Sequence, residues 1–332
     1  MPFESNFRRT RVLQLGSGLT ALSALESLVE RFEVVGLVRE HHPETAKDDP
    51  TIRLAQSLEI TVLSDASAGA IVRSIEELKP DCVVVSSHKR ILTPSTLAKC
   101  RFINVHYAPL PKYRGRANVN WALINGEQFA AITIHTISPG LDEGNILFQE
   151  SIEIGESDDV TSLYERLNAI QRKALAMTVL RHLDGHNGIP QDHQKATYGC
   201  TRIPDDGEID WTRPASEIHR LIRALTSPFP GAFTYHEGCR LWIRRAELVA
   251  DPPRFDGRVP GRVASISQRS GSVDVLAGEG LIRLLEVQRE EDAAEPASNV
   301  LRSVRETLGL RTSDLLARID RLERLLSSKG LL

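Results

Sequence analysis

Asn104 and His106 stand two residues apart in the segment FINVH at 102–106, and Asp142 follows 38 residues after Asn104 in a glycine-flanked PGLDEG loop. Side chains two apart on an extended strand project to the same side, so the amide and the imidazole would face one ligand. The glycines around Asp142 give the backbone freedom to bring its carboxylate against the imidazole. An amide, an imidazole and a carboxylate supply what acyl transfer to an amine needs. The donors stabilise a developing oxyanion, and the His–carboxylate pair moves the proton that the attacking nitrogen loses. No Ser or Cys is adjacent to act as nucleophile, which favours direct transfer over a covalent intermediate. Taken alone, the three residue types remain compatible with many chemistries.

The elements that must position them come from hydrophobic periodicity. Over the first 155 residues, short β-branched runs at 11–15, 33–38, 60–63, 81–86 and 102–106 alternate with helical patterns at 19–30, 51–58, 68–78 and 94–99. The VVV run at 83–85, apolar on both faces, predicts a central strand of a parallel sheet covered by helices on each side. The fold class is therefore α/β, an open, doubly wound, mostly parallel sheet. Such sheets bind ligands outside the carboxyl ends of their strands, which places the loops after Ser86 and His106 at the site.

Farther on, a hairpin-like pair is expected at 131–137 and 146–154, then a helix capped by Asp158, Asp159 or Thr161 and running to about Leu183. A short helix at 214–225 has Pro at its first turn, and 231–287 holds several short strands with Gly and Pro turns. These patterns predict a catalytic domain over 1–195, a small β-barrel-like domain over 205–290 and a helical tail over 293–332. In the tail, Leu308, Leu315 and Leu322 interleave with Ile319 and Leu326 at heptad spacing. That series serves either packing on its own domain or a homodimer contact through the C-terminal region.

Composition narrows the function classes. A net charge of −3 over 332 residues gives no electrostatic footprint for nucleic acid or an anionic membrane. No apolar window is long enough to span a bilayer and the N-terminus lacks a secretory pattern, so a cytoplasmic protein is expected. The four cysteines show neither C-x-x-C pairing nor zinc-type spacing with His, and His41, His42, His182, His186 and His193 offer no metal-ligand spacing, so no metal is expected. One competing motif is Gly16-Ser17-Gly18-Leu19-Thr20-Ala21, with Glu40 at the end of the second strand, the setting of a dinucleotide fingerprint. The alternative is that its glycines serve a tight turn and close helix packing.

Taken together, Asn-x-His at 104–106, LPKYRGR at 110–116, the NWALINGE run from Asn120, TIH at 133–135 and LDEGNI at 141–146 closely resemble the folate-dependent formyltransferase family. The segments KRILTP at 89–94 and IHRLIRALTSPFPGAF at 218–233 are similar to that family's folate-pocket loop and the start of its C-terminal barrel. The resemblance implies a Rossmann-like catalytic domain with Asn104, His106 and Asp142 as the catalytic trio and N10-formyltetrahydrofolate as formyl donor. It implies donor contacts from His88, Lys89, Arg90, Ile91 and Leu92, from the Ser138, Pro139, Gly140 and Leu141 loop, and from Arg116. Arg114 would meet a ligand or form a structural salt bridge, and His135 would support the site or be a satisfied core residue.

For the acceptor, the YRGRA-x-x-NW-x-L-x-NGE run resembles most closely the members that formylate a UDP-linked 4-amino-arabinose, which implies a nucleotide-linked amino sugar. The members acting on methionyl-tRNA carry a basic segment after the second strand. Here HHPETAKDDPTIRLA at 41–55 has at least as many acids as Lys and Arg, which argues against nucleic acid. After His106 the family usually places Gly or Pro, Ser and Leu, whereas this chain has Tyr107, Ala108 and Pro109. Tyr107 and Pro109 would then border the acceptor, with Tyr107 stacking on it or excluding part of it. The other readings are a different small-molecule amine such as hydroxyornithine or a peptide precursor, methionyl-tRNA, hydrolysis of the folate donor by water, and a dinucleotide-dependent oxidoreductase built on 16–21.

Overall fold

The structure is a computed structural model describing residues 9–39, 49–290 and 292–329. It divides into two compact units, one of Met1–Val119, Gln128–Gly155 and Ser162–Thr201, the other of Asn120–Glu127, Glu156–Thr161 and Arg202–Leu332. The short pieces 120–127 and 156–161 join the second unit, so the division is more than a single cut.

The first unit is built on strands β1 (Arg11–Gly16), β2 (Glu33–Val38), β3 (Val62–Leu63), β4 (Cys82–Ser86) and β5 (Arg101–His106), with α1 (Gly18–Val29), α2 (Pro50–Ser57), α3 (Ala68–Leu78) and α4 (Pro94–Leu97) between them. After the short β6 (Arg114–Gly115) and α5 (Asn118–Asn125), most of which belongs to the second unit, come β7 (Phe129–Thr136), β8 (Ile146–Glu153), the long α6 (Val160–Leu183) and β9 (Tyr198–Gly199). The sheet runs in the order β3-β2-β1-β4-β5-β7-β8. The first five of these strands are parallel, while β7 lies antiparallel to β5 and β8 antiparallel to β7. Every residue of β4 is buried, as its apolar run predicts for a strand covered on both faces. Leu13, Leu15, Ile71, Val83, Val85 and Phe102 form a core on one side of it.

Local chemistry sets the ends of these elements. Ser67 and Thr93 cap α3 and α4 by accepting from the Ala70 and Thr96 amides. The third strand is shorter than its pattern suggests because α2 ends in a Schellman turn: Glu59 is left-handed at φ 58°, and the Ile60 and Glu59 amides donate to the Ala55 and Gln56 carbonyls at 2.8 and 3.1 Å. Gly16 has a plain structural reason. A Cβ there would fall 1.8 Å from the Ser86 carbonyl oxygen, so the glycine permits close approach of β1 to the end of β4. Glu40, the acid of the dinucleotide pattern, lies outside the described residues, as do His41 and His42.

Two residues on either side of that interval meet. Arg39 Nη1 lies 2.6 Å from Asp49 Oδ2, with both side chains largely buried, and Asp49 Oδ1 accepts from the Thr51 amide to cap α2. Burial opposes ionisation of Asp49, yet the hydrogen bonds from Arg39 and the Thr51 amide outweigh it and hold the carboxyl below its ordinary value.

In the second unit, α7 (Ala215–Ala224) precedes an antiparallel sheet of β10 (Ala232–His236), β11 (Cys239–Leu248), β12 (Val263–Ser267), β13 (Ser272–Leu276) and β14 (Leu281–Arg289), ordered β10-β11-β14-β13-β12, with β15 (Glu295–Pro296) on β14. No pairing closes β12 onto β10 among the described residues. Phe233 is fully buried here, and the Trp211 indole donates to Thr234 Oγ1 at 2.8 Å. The chain continues through α8 (Ala297–Val300) and ends in α9 (Thr312–Ser328). No described helix is long and apolar enough to cross a membrane.

Candidate active site

The site is built at the carboxyl end of β5. Asn104 pairs with Val85 of β4 and His135 of β7, and His106 pairs with Thr133, so strand register sets the amide, the imidazole and a second histidine side by side. The loop from β7 to β8 returns Asp142 to them. It turns because Asp142 is left-handed at φ 49° and because Gly144 passes close over β7, where a Cβ would lie 1.7 Å from the Thr136 carbonyl oxygen. Gln191 fixes the loop from behind. Its amide nitrogen donates to the carbonyls of Asp142 and Gly144 at 2.8 and 2.7 Å, and its Oε1 accepts from Arg114 Nη2 at 2.8 Å.

Asp142 is the centre of the cluster. Its Oδ2 accepts from the Gly115 amide at 2.8 Å and lies 3.6 Å from His106 Nδ1, while its Oδ1 lies 3.5 Å from Asn104 Nδ2 and 3.7 Å from His135 Nε2. The turn that supplies Gly115 is itself constrained, since Tyr113, Gly115 and Ala117 all have left-handed backbones.

The hydrogen bonds also assign the tautomers. His135 Nδ1–H donates to the Thr136 carbonyl at 2.8 Å, which leaves Nε2 as the acceptor for Asn104 Nδ2 at 3.1 Å. Burial of His135, with the nearby His106 ring, outweighs Asp142 and pushes its pKa down to about 4, so the ring is neutral at pH 7. This fixes the Asn104 amide with its NH₂ toward His135 and Asp142. His106 Nε2–H donates to the Tyr113 carbonyl at 2.8 Å, with Asn118 Nδ2 at 3.1 Å from the same nitrogen. Its Nδ1 faces the Asp142 carboxylate.

The structure brings Asn104, His106 and Asp142 together. It also brings the 88–92 loop near the 114–117 turn, because Arg116 Nη2 donates to the Lys89 carbonyl. Ile91 is 83% exposed and Leu141 51%, so two loops at the sheet edge present apolar side chains to solvent; Leu92 packs back against the core. The Ser138 hydroxyl donates to Glu143 at 3.4 Å within the second loop, where Pro139 and Gly140 also stand.

Two residues expected at the acceptor are buried. Tyr107 is only 8% exposed. Its ring packs on Tyr164, and its hydroxyl lies 2.6 Å from Asn168 Oδ1 and 2.5 Å from Gln171 Oε1, so the side chain is directed at α6. Burial also raises its pKa far above the usual phenol range. Arg114 is 2% exposed and engaged with Gln191 Oε1 and His193 Nδ1, which ties it to the chain that holds the Asp142 loop. Pro109 sits in a turn closed by the Lys112 amide on its carbonyl. Gln191 and Asn118 were absent from the sequence reading. Asn118 falls at an unspecified position between YRGRA and NW, and Gln191 acts from 49 residues beyond Asp142 with no local pattern.

Comparison with known proteins follows the same segments. Residues 39–179 match the model of the Formyl transferase family and residues 203–305 that of the Formyl transferase, C-terminal domain. The chain is 33% identical over 293 residues to a methionyl-tRNA formyltransferase of Caldanaerobacter subterraneus subsp. tengcongensis, covering 84% of this chain and 92% of that protein. Its fold is similar to that of HypX from Aquifex aeolicus in complex with tetrahydrofolic acid, with a TM-score of 0.63, 18% identity and coverage of 90% of this chain; the chain spans 48% of HypX. It is also similar in fold to WlaRD, a sugar 3N-formyl transferase solved with dTDP and 5-N-formyl-THF, with a TM-score of 0.60, 15% identity and coverage of 86% of this chain and all of that one.

Proposed function

Because the chain belongs to the formyl transferase family, we propose that it moves a formyl group from N10-formyltetrahydrofolate directly to a primary amine, with Asn104, His106 and Asp142 carrying the chemistry. The observation that supports this best is the convergence of three side chains and the Gly115 amide on the Asp142 carboxylate, each within 3.7 Å, at the carboxyl edge of the sheet.

The donor's binding surface fits this chain. A flat pterin needs apolar walls and backbone hydrogen-bonding groups, and the loops bearing Ile91 and Leu141 offer both at the strand ends. Residues 88–92, 138–141 and Arg116 would hold it. When bound, the folate supplies an electrophilic formyl carbonyl. Asn104 contributes an N–H to the developing oxyanion, its contact to Asp142 at 3.5 Å being the weaker of its two and the one a carbonyl oxygen displaces. His106 accepts the proton from the attacking nitrogen at Nδ1, where Asp142 stabilises the resulting imidazolium, and returns it to N10 as the bond from the formyl carbon to N10 breaks. No covalent enzyme intermediate is required.

The acceptor we favour is a nucleotide-linked amino sugar. The YRGRA-x-x-NW-x-L-x-NGE run supports it, and so does the segment 41–55, whose three acids stand against one lysine and one arginine where a phosphate backbone would require an excess of positive charge. A second reading, the amino group of methionyl-tRNA, is favoured by the 33% identity to a methionyl-tRNA formyltransferase over most of both chains. One assay separates them. The full chain is incubated with N10-formyltetrahydrofolate and, separately, UDP- and dTDP-amino sugars or methionyl-tRNA, and the N-formyl product is identified by mass spectrometry. Formylation of a nucleotide sugar with none of methionyl-tRNA supports the first reading; the reverse establishes the second. Absence of tetrahydrofolate release with every amine, beside tight binding of NAD or NADP, would overturn both.

A further inference from the structure

We propose that α9 pairs in parallel with α9 of a second copy of this chain, forming a short two-stranded coiled coil. The helix lies beyond the C-terminal family domain, which ends at residue 305, and its 17 residues span about 25 Å. Leu315, Leu316, Ile319, Leu322, Leu325 and Leu326 are 36% to 56% exposed, and no residue of α9 is buried. Six large apolar side chains on one exposed helix form a patch of the kind that marks an interaction site.

The identity and spacing of those residues specify the partner. Leu315, Ile319, Leu322 and Leu326 follow the 4-3-4 spacing of a heptad seam, with Leu at the d positions 315 and 322, and Ile319 and Leu326 at the a positions. Ile at a with Leu at d favours two parallel strands over higher assemblies. Charge fixes the orientation. In a parallel pair, Arg318 at position g faces the partner's Glu323 at position e, and the dyad repeats this attraction on the other side. In an antiparallel pair Arg318 would instead face the partner's Leu325, leaving its charge beside an apolar side chain. Arg318 Nη1 donates to the Gly238 carbonyl at 3.3 Å, and the guanidinium's other N–H groups can take up the pairing.

Sedimentation velocity on the full chain over a concentration series tests this. The wild type should dimerise, and I319D/L322D should raise the dimer dissociation constant at least tenfold; both sites are exposed, so the fold of either unit is undisturbed. Arg318→Glu and Glu323→Arg should each weaken the dimer alone. An equimolar mixture of the two single variants should restore it, because each Arg then meets a Glu across the seam. A wild type monomeric up to its solubility limit overturns the proposal, as does a dimer that survives I319D/L322D. Failure of the mixture to recover association overturns the parallel register.

Discussion

The Gly115 amide donates to Asp142 Oδ2 at 2.8 Å, so a backbone group positions the carboxylate that the three site side chains share. Gly115 is left-handed at φ 99°, and a Cβ there would lie 2.9 Å from the Gly199 carbonyl oxygen. Gly115→Ala must therefore shift the turn and lengthen the bond to Asp142. Turnover should fall by about one to two powers of ten, within the range for a displaced catalytic group, with a smaller change in donor affinity. Steady-state kinetics beside folate titration checks both quantities.

Asn104→Ala and Asp142→Ala should each lower kcat by about two to four powers of ten, the scale for loss of an oxyanion donor or a proton-transfer group. Folate binding, measured directly by titration, should change less. Near-normal turnover in either variant would remove that residue from the catalytic set.

His135 ties stability to acid. Its pKa is depressed to about 4 in the folded protein by burial, while an unfolded chain takes up the proton near the ordinary value of about 6.5. Between these values the unfolded state binds more protons, so stability rises with pH through that window and is lost as pH falls below about 6.5. Urea midpoints at pH 7.5 and pH 5.5 should differ in the wild type. In His135→Gln, which keeps a neutral polar side chain, that difference should shrink.

Tyr107→Phe deletes a buried hydroxyl whose single proton is donated to one of the two amide oxygens beside it, Asn168 Oδ1 or Gln171 Oε1, and leaves that oxygen short of a partner. The loss should cost about 1–3 kcal/mol of stability, the usual penalty for an unsatisfied buried polar group. The KM for the amine should stay within experimental error of wild type. A large rise in that KM without a loss of stability would return Tyr107 to the acceptor pocket.

The α/β layering was legible because the apolar VVV run of β4 and the helical repeats of α1 and α3 are local signals. So was the pairing of Asn104 with His106, since alternation on a strand is a property of the strand itself. The role of Tyr107 was not. Its position beside His106 invites a place at the ligand, yet its direction is decided by α6, whose Asn168 and Gln171 lie more than 60 residues away. The same holds for Gln191 and for the neutral state of His135, both of which depend on contacts across the fold that no spacing in the sequence encodes. Sequence also could not tell which glycines carry the turns. Gly16 is required by the Ser86 carbonyl and Gly144 by the Thr136 carbonyl, neither of them a neighbour in the chain.

The buried pair of Arg39 and Asp49 couples the end of a strand to the start of a helix. Arg39 Nη1 lies 2.6 Å from Asp49 Oδ2 while Asp49 Oδ1 accepts from the Thr51 amide, so one carboxylate fastens both elements. Removing either charge would strand its partner in a largely buried position at a cost of about 3–5 kcal/mol. The two positions therefore change together or not at all.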